Sequence, residues 1–98
     1  MSAGFRENRI PRPREGVSGQ RFGSDYIVLD ADGNTLRGLN PTAIRVWELC
    51  DGTRTARDVA EQVAREYKAN VQQVLDDTLR FLTELARLGL IDETQEVL

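Results

Sequence analysis

The chain has 98 residues, with 13 basic and 16 acidic side chains, no histidine and one cysteine; 40% of its residues are hydrophobic and 30% charged. That length supports one modest core, and the composition is that of a soluble globular domain. With no histidine and only Cys50, an internal disulfide is excluded, the usual zinc and iron sites cannot be built from this chain alone, and Ser–His or Cys–His catalysis is ruled out. Gly33, Gly38 and Gly52 are isolated and fit no phosphate-binding loop, and the acids are spread as solvated helix faces. Neither an enzyme acting alone nor a bound cofactor is therefore expected. No apolar run approaches a bilayer span and the N-terminus has no apolar signal core, so the expected location is the cytoplasm, away from membranes.

In chain order, residues 1–16 carry Arg6, Arg9, Arg12 and Arg14 among Pro11, Pro13, Gly4 and Gly16 with no hydrophobic period. They read as a flexible basic arm ahead of a domain over 17–93, with 94–98 as a tail. Val17 to Phe22 is a weak strand, lowered by Ser18 and Gly19. Asp25 to Asp30 is a strong one, apolar enough to be covered on both faces. Phe22–Asp25 and Ala31–Asn34 are turn clusters, and Thr35 to Leu39 completes a three-stranded antiparallel meander. This last strand is an edge guarded only by Arg37, and Gly38 either lets a foreign backbone approach or marks a bulge before the helix. An unpaired edge can dock another chain.

Three helices follow. The first starts at Pro41 behind the cap Asn40 and stops near Asp51-Gly52. The second starts at Thr55, with Asp58 completing a capping box, and runs through Val59, Ala60, Val63, Ala64 and Tyr67. The third starts at Asn70, with Gln73 in a box-like pairing, and ends at Gly89 with Leu90 and Ile91 folding back in a Schellman stop. Trp47 and Cys50 belong in or beside the core, and the acids Glu48 and Asp51 next to Cys50 disfavour a reactive thiolate. The expected class is α+β, winged-helix-like, with the meander leading the helices.

On the third helix, at about 100° per residue, Val71, Thr78, Leu82 and Leu85 form the centre of an apolar arc. Val74, Phe81 and Leu88 lie on one flank, and Leu75, Leu79 and Ala86 on the other. The arc covers about half the circumference, more than packing on one layer needs. Either the helix packs on two things within the domain or one flank awaits a partner, and Phe81, with Asp77 and Arg80 beside it, is where the partner would sit.

The run Leu39-Asn40-Pro41-Thr42-Ala43, then Ile44 to Gly52, Thr53 to Thr55 and the two helices ending Leu88-Gly89-Leu90-Ile91, resembles the PqqD-like family, also called precursor-peptide recognition elements. Arg12 to Val17 and Tyr26 to Leu29 fall where that family places its first two strands. The resemblance covers roughly residues 12 to 93 and implies a domain without catalysis of its own. Such a domain binds the leader of a ribosomally made precursor peptide and presents it to a radical-SAM enzyme or to a leader peptidase and cyclase. It further implies that the leader adds as a strand along Thr35, Leu36, Arg37, Gly38 and Leu39, with side chains towards Val74, Asp77, Thr78, Arg80 and Phe81. The turn Ala31–Asn34 replaces the proline-containing apolar turn of members committed to pyrroloquinoline quinone, and the Leu39–Thr42 run is nearer to lasso-peptide and other radical-SAM relatives.

Two other readings belong to different classes. A DNA-binding winged helix would need a basic recognition helix, yet from residue 22 onward the chain has 8 basic and 14 acidic residues, which repels phosphates. A general protein–protein adaptor would lack a peptide groove. A free edge can also pair with itself, so a monomer or weak dimer is expected.

Overall fold

The computed structural model describes residues 4–95. Its elements are β1 (Ile10–Pro13), β2 (Ser18–Phe22), β3 (Asp25–Leu29), β4 (Thr35–Arg37), α1 (Pro41–Leu49), α2 (Ala56–Tyr67), α3 (Val71–Arg87) and β5 (Ile91–Thr94). The antiparallel meander β2-β3-β4 leads the three helices, as the sequence indicates, and a second, two-stranded sheet pairs β1 with β5.

This second sheet corrects the expectation of an irregular arm over residues 1–16. Ile10 pairs with Thr94, Arg12 with Asp92 and Pro13 with Ile91, while Phe5, Ile10 and Pro11 are buried. Arg14 N–H donates to the Leu90 carbonyl at 3.1 Å, and in an antiparallel ladder bonded pairs alternate. Ile10 and Arg12 therefore face β5 with their backbone groups, and Pro11 and Pro13 fall at the positions that need no N–H, where proline is tolerated. Upstream of β1, the carbonyls of Arg9 and Glu7 each accept at 2.9 Å from the N–H groups of Ala56 and Arg57, which are among the orphan donors of a helix start. The expected tail is shortened likewise, since Thr94 closes β5. Residues 1–3 of the arm and 96–98 of the tail lie outside the described residues.

The helix boundaries follow their caps. Asn40 Oδ1 accepts from Ala43 N–H at 2.8 Å, and Thr55 and Asp58 form the reciprocal capping box. The α3 start is only half of the expected pair: Asn70 accepts from Gln73 N–H at 3.0 Å, but the Gln73 amide reaches forward to Asp77 instead of back to the cap. At the other end Leu90 N–H reaches the Leu85 carbonyl at 2.9 Å and Gly89 N–H reaches Ala86 at 3.0 Å, with Gly89 at φ +76. These are the two bonds of a Schellman stop, and they turn the chain directly into β5.

The core lies between the sheet and the helices. Val28, Val46, Val59, Val63, Leu82, Leu85 and Leu90 are almost wholly buried. Ile27 and Val28, on opposite faces of β3, are both buried, which accounts for the continuous apolar run there. A Cβ on Gly19 would overlap Tyr26 Oη and Trp47 Nε1, so this glycine lets the indole close onto β2. Cys50 is buried, and burial first, then the Asp51 charge, pushes its thiol up to about 12. Val71 departs from its expected place at the centre of the apolar arc: in the first turn of α3 it is 43% exposed.

Candidate functional site

The edge strand is shorter than the expected Thr35–Leu39. Pairing runs from Leu29–Thr35 to Ile27–Arg37. Asp30 N–H donates to the Asn34 carbonyl at 3.1 Å, so by alternation Val28–Leu36 is the next bonded pair. Leu36 therefore spends its backbone groups on β3, while Thr35 and Arg37 turn their N–H and C=O groups away from the sheet. Beyond them the ladder slips by one residue: Leu39 N–H, in place of Gly38 N–H, points to the Tyr26 carbonyl at 3.5 Å. Gly38 adopts φ +72, the left-handed conformation of a glycine bulge. Gly38 N–H is taken instead by Asp25 Oδ1 at 3.0 Å, and Arg37 Nε lies 3.8 Å from Asp25 Oδ2. Asp25 thus fixes the point where the edge ends. Of the two uses considered for Gly38, the bulge is the one its geometry adopts.

Immediately past this bulge a cleft of about 450 Å³ opens between the start of α1 and the middle of α3. From α1 and its cap come Asn40, Thr42, Ala43 and Val46; from α3 come Asp77, Thr78, Arg80 and Phe81. Four of the five helix positions singled out from the sequence therefore meet in one place. The fifth, Val74, is buried in the core and does not line the cleft. No residue of β4 lines it either: the first lining residue after the strand is Asn40, the α1 cap, while Leu39 turns to a second depression with Pro41, Ile44 and Tyr67. The α1 wall was not foreseen. Its signal is the pair Thr42-Ala43, two short side chains at a helix start, which leave room above Val46.

The cleft has an apolar floor and a polar rim whose charges answer each other. Asp77 and Arg80 approach to 3.5 Å with side chains 52% and 75% exposed, and Gln73 also donates to Asp77. Farther along, Arg87 is paired with Glu84, so both arginines of α3 are engaged by acids of the same helix. Thr78 is the exception to this pairing. It is 2% exposed, and its Oγ1 is buried with no hydrogen-bond partner among the described residues. Leaving a hydroxyl in that state costs about 1–3 kcal/mol.

Known proteins share both the sequence pattern and the fold. A family model described as coenzyme PQQ synthesis protein D (PqqD) matches residues 25–91. A PqqA binding protein of Bradyrhizobium diazoefficiens is 37% identical over 54 residues, 55% of this chain and 52% of that protein. A PqqA binding protein of Rhodopseudomonas palustris is 32% identical over 54 residues, 55% of this chain and 53% of that protein. The chain spans about half the length of the curated relatives it matches. Among solved structures, the PqqD truncation of Methylobacterium extorquens PqqCD, a stand-alone recognition element for ribosomally synthesised and post-translationally modified peptides, superposes with a TM-score of 0.76. It is 24% identical and covers 90% of this chain and 94% of its own. TbiB1 in complex with the TbiA(β) leader peptide gives 0.68 at 20% identity, over 83% of this chain and 94% of its own. At these identities the two structures speak for the fold alone.

Proposed function

The chain belongs to the PqqD family, and on that footing we propose that it binds the leader of a ribosomally made precursor peptide and presents it to a modifying enzyme, without chemistry of its own. The leader adds as a strand along the outward N–H and C=O groups of Thr35 and Arg37, ends at the Gly38 bulge, and sends a side chain into the cleft between α1 and α3. The modifying enzyme is of the radical-SAM type or a leader peptidase with its cyclase. The observation that carries this reading is the juxtaposition of a strand edge unpaired among the described residues with a cleft one bulge away. That the curated relatives are PqqA binding proteins and that a neighbour of the same fold is a leader-peptide complex support it.

Magnitudes assign the two parts different shares. Four backbone hydrogen bonds at about 1 kcal/mol net each amount to roughly millimolar binding. A micromolar leader must therefore draw the rest from side chains seated in the cleft, where burying one apolar group contributes about 1.5–3 kcal/mol.

Titration of the peptides encoded beside the gene, by fluorescence anisotropy or calorimetry, tests the function: at least one binds saturably at micromolar affinity or better. Arg37→Pro tests the mode. Its N–H faces away from the sheet, so proline removes a docking donor and leaves the ladder intact. The expected result is at least about a fivefold loss of affinity with an unchanged circular dichroism spectrum. A folded protein that binds none of these peptides disproves the function, and full affinity in the proline variant disproves strand addition.

A further inference from the structure

We propose that the cleft selects a leader side chain that ends in a neutral hydrogen-bonding group, a hydroxyl or an amide, and that Thr78 is the residue that reads it. This inference rests on the leader-binding reading above and names what that site discriminates.

Thr78 lies among apolar side chains, with Val46 and Ala43 across the cleft and Phe81 one turn on. Its hydroxyl is unpaired although a helical threonine has an obvious partner, the carbonyl four residues back. Thr83, on the same helix, uses that partner: its Oγ1 donates to the Leu79 carbonyl at 2.6 Å and accepts from Phe5 N–H at 2.8 Å. Nothing in the helix forbids satisfaction, yet at Thr78 it is missing, and that residue lines the cleft. Thr42 brings a second hydroxyl to the rim, but none of the rim groups bonds Thr78 Oγ1. Asn40 Oδ1 is spent on the helix cap, and Asp77 and Arg80 answer each other.

The chemistry of the occupant follows. A hydroxyl both donates and accepts, so it suits another hydroxyl or an amide in either orientation. A charged tip seated beside Oγ1 would lose its water, which is unfavourable, and the exposed Asp77–Arg80 pair at the rim is screened by solvent. A purely aliphatic tip would leave Oγ1 as unpaired as before and gains nothing from it. Oγ1 is closed to solvent in the free protein, so the side chains beside it must part on binding.

The experiment uses the leader that binds in the titration above. Each of its hydroxyl- and amide-bearing residues is replaced in turn by an apolar residue of like size, and every peptide is titrated against the wild type, Thr78→Val and Thr78→Ser. Thr78→Val is expected to melt at or above the wild-type temperature, because it removes an unpaired hydroxyl, and to bind about five- to tenfold more weakly. Thr78→Ser keeps the hydroxyl and most of the affinity. One leader replacement costs the same five- to tenfold in the wild type and nothing further in Thr78→Val. Undiminished binding by Thr78→Val overturns the proposal. So does a scan in which no neutral polar leader residue costs the wild type more than about twofold, whether or not the variant folds. A wild type that binds no leader at all fails at the earlier step, in the function itself, and takes this inference with it.

Discussion

The two flanks of the apolar arc on α3 meet different surroundings. One flank is closed from within. The N-terminal segment lies on it, Phe5 is 5% exposed, its N–H is held by Thr83, and a Cβ on Gly4 would stand 2.9 Å from Thr83 Oγ1, so the backbone itself packs against the helix. The other flank, marked by Phe81 with Asp77 beside it, borders a cleft that Thr78 lines from the centre of the arc. On the closed flank the Thr83 hydroxyl both donates and accepts; at the cleft the Thr78 hydroxyl is left over. The arc on α3 is wide because the helix packs on more than one element of the domain; its second flank borders the cleft, with Phe81 half-buried against the core.

Substitutions test this contrast, from the strongest to the weakest. Phe5→Ala removes the buried ring from the closed flank and should destabilise the fold by about 3–5 kcal/mol. Leader affinity, measured well below the melting temperature, should stay within about twofold, since a cavity on one flank removes no contact from the other and effects at separated sites are nearly independent. A parallel loss of affinity would mean that the flanks are coupled. Thr83→Val probes the same point on a smaller scale, since it strands the Phe5 N–H and should cost about 1–3 kcal/mol in chemical denaturation. Its counterpart Thr78→Val should cost nothing. If the two valine variants prove equally destabilised, the distinction between a used and an unused hydroxyl is wrong.

The smallest effect lies away from both flanks. Arg45 Nε donates to Glu66 Oε1 at 2.7 Å and joins α1 to α2. The hydrogen bond from Arg45 first, then that from Gln62, lowers the Glu66 carboxyl to about 2. A folded-state value below the unfolded one means that the contribution is complete above the unfolded value, about 4.3, and is lost as pH falls through the folded value. Thermal melts of wild type and Glu66→Gln should therefore differ slightly at neutral pH and converge as the pH drops between those limits. Curves that stay parallel throughout that window would remove this pair from the acid response.

Much of the fold was readable in advance because its signals are local. Asn40-Pro41, Thr55 with Asp58, and Gly89 each mark a helix end by chemistry within a few residues, and all three hold. The second sheet was hidden. Pro11 and Pro13 look like breakers until β5 is in place, and only the register of that pairing shows that neither needed an N–H. Of the candidate site, the α3 face was visible as a surplus of apolar arc. The α1 wall was not, because Thr42 and Ala43 become a boundary only when α3 is set opposite them.

Residue order alone thus set the meander, the three helices, their sequence along the chain, and the fact that α3 has more apolar surface than one layer covers. Which flank is closed, and where the strand edge stops, was settled by tertiary contacts. Those outcomes depend on bonds between residues well separated in the chain, Phe5 to Thr83, Arg14 to Leu90 and Gly38 to Asp25, and no local pattern encodes which distant group arrives to meet an unpaired one.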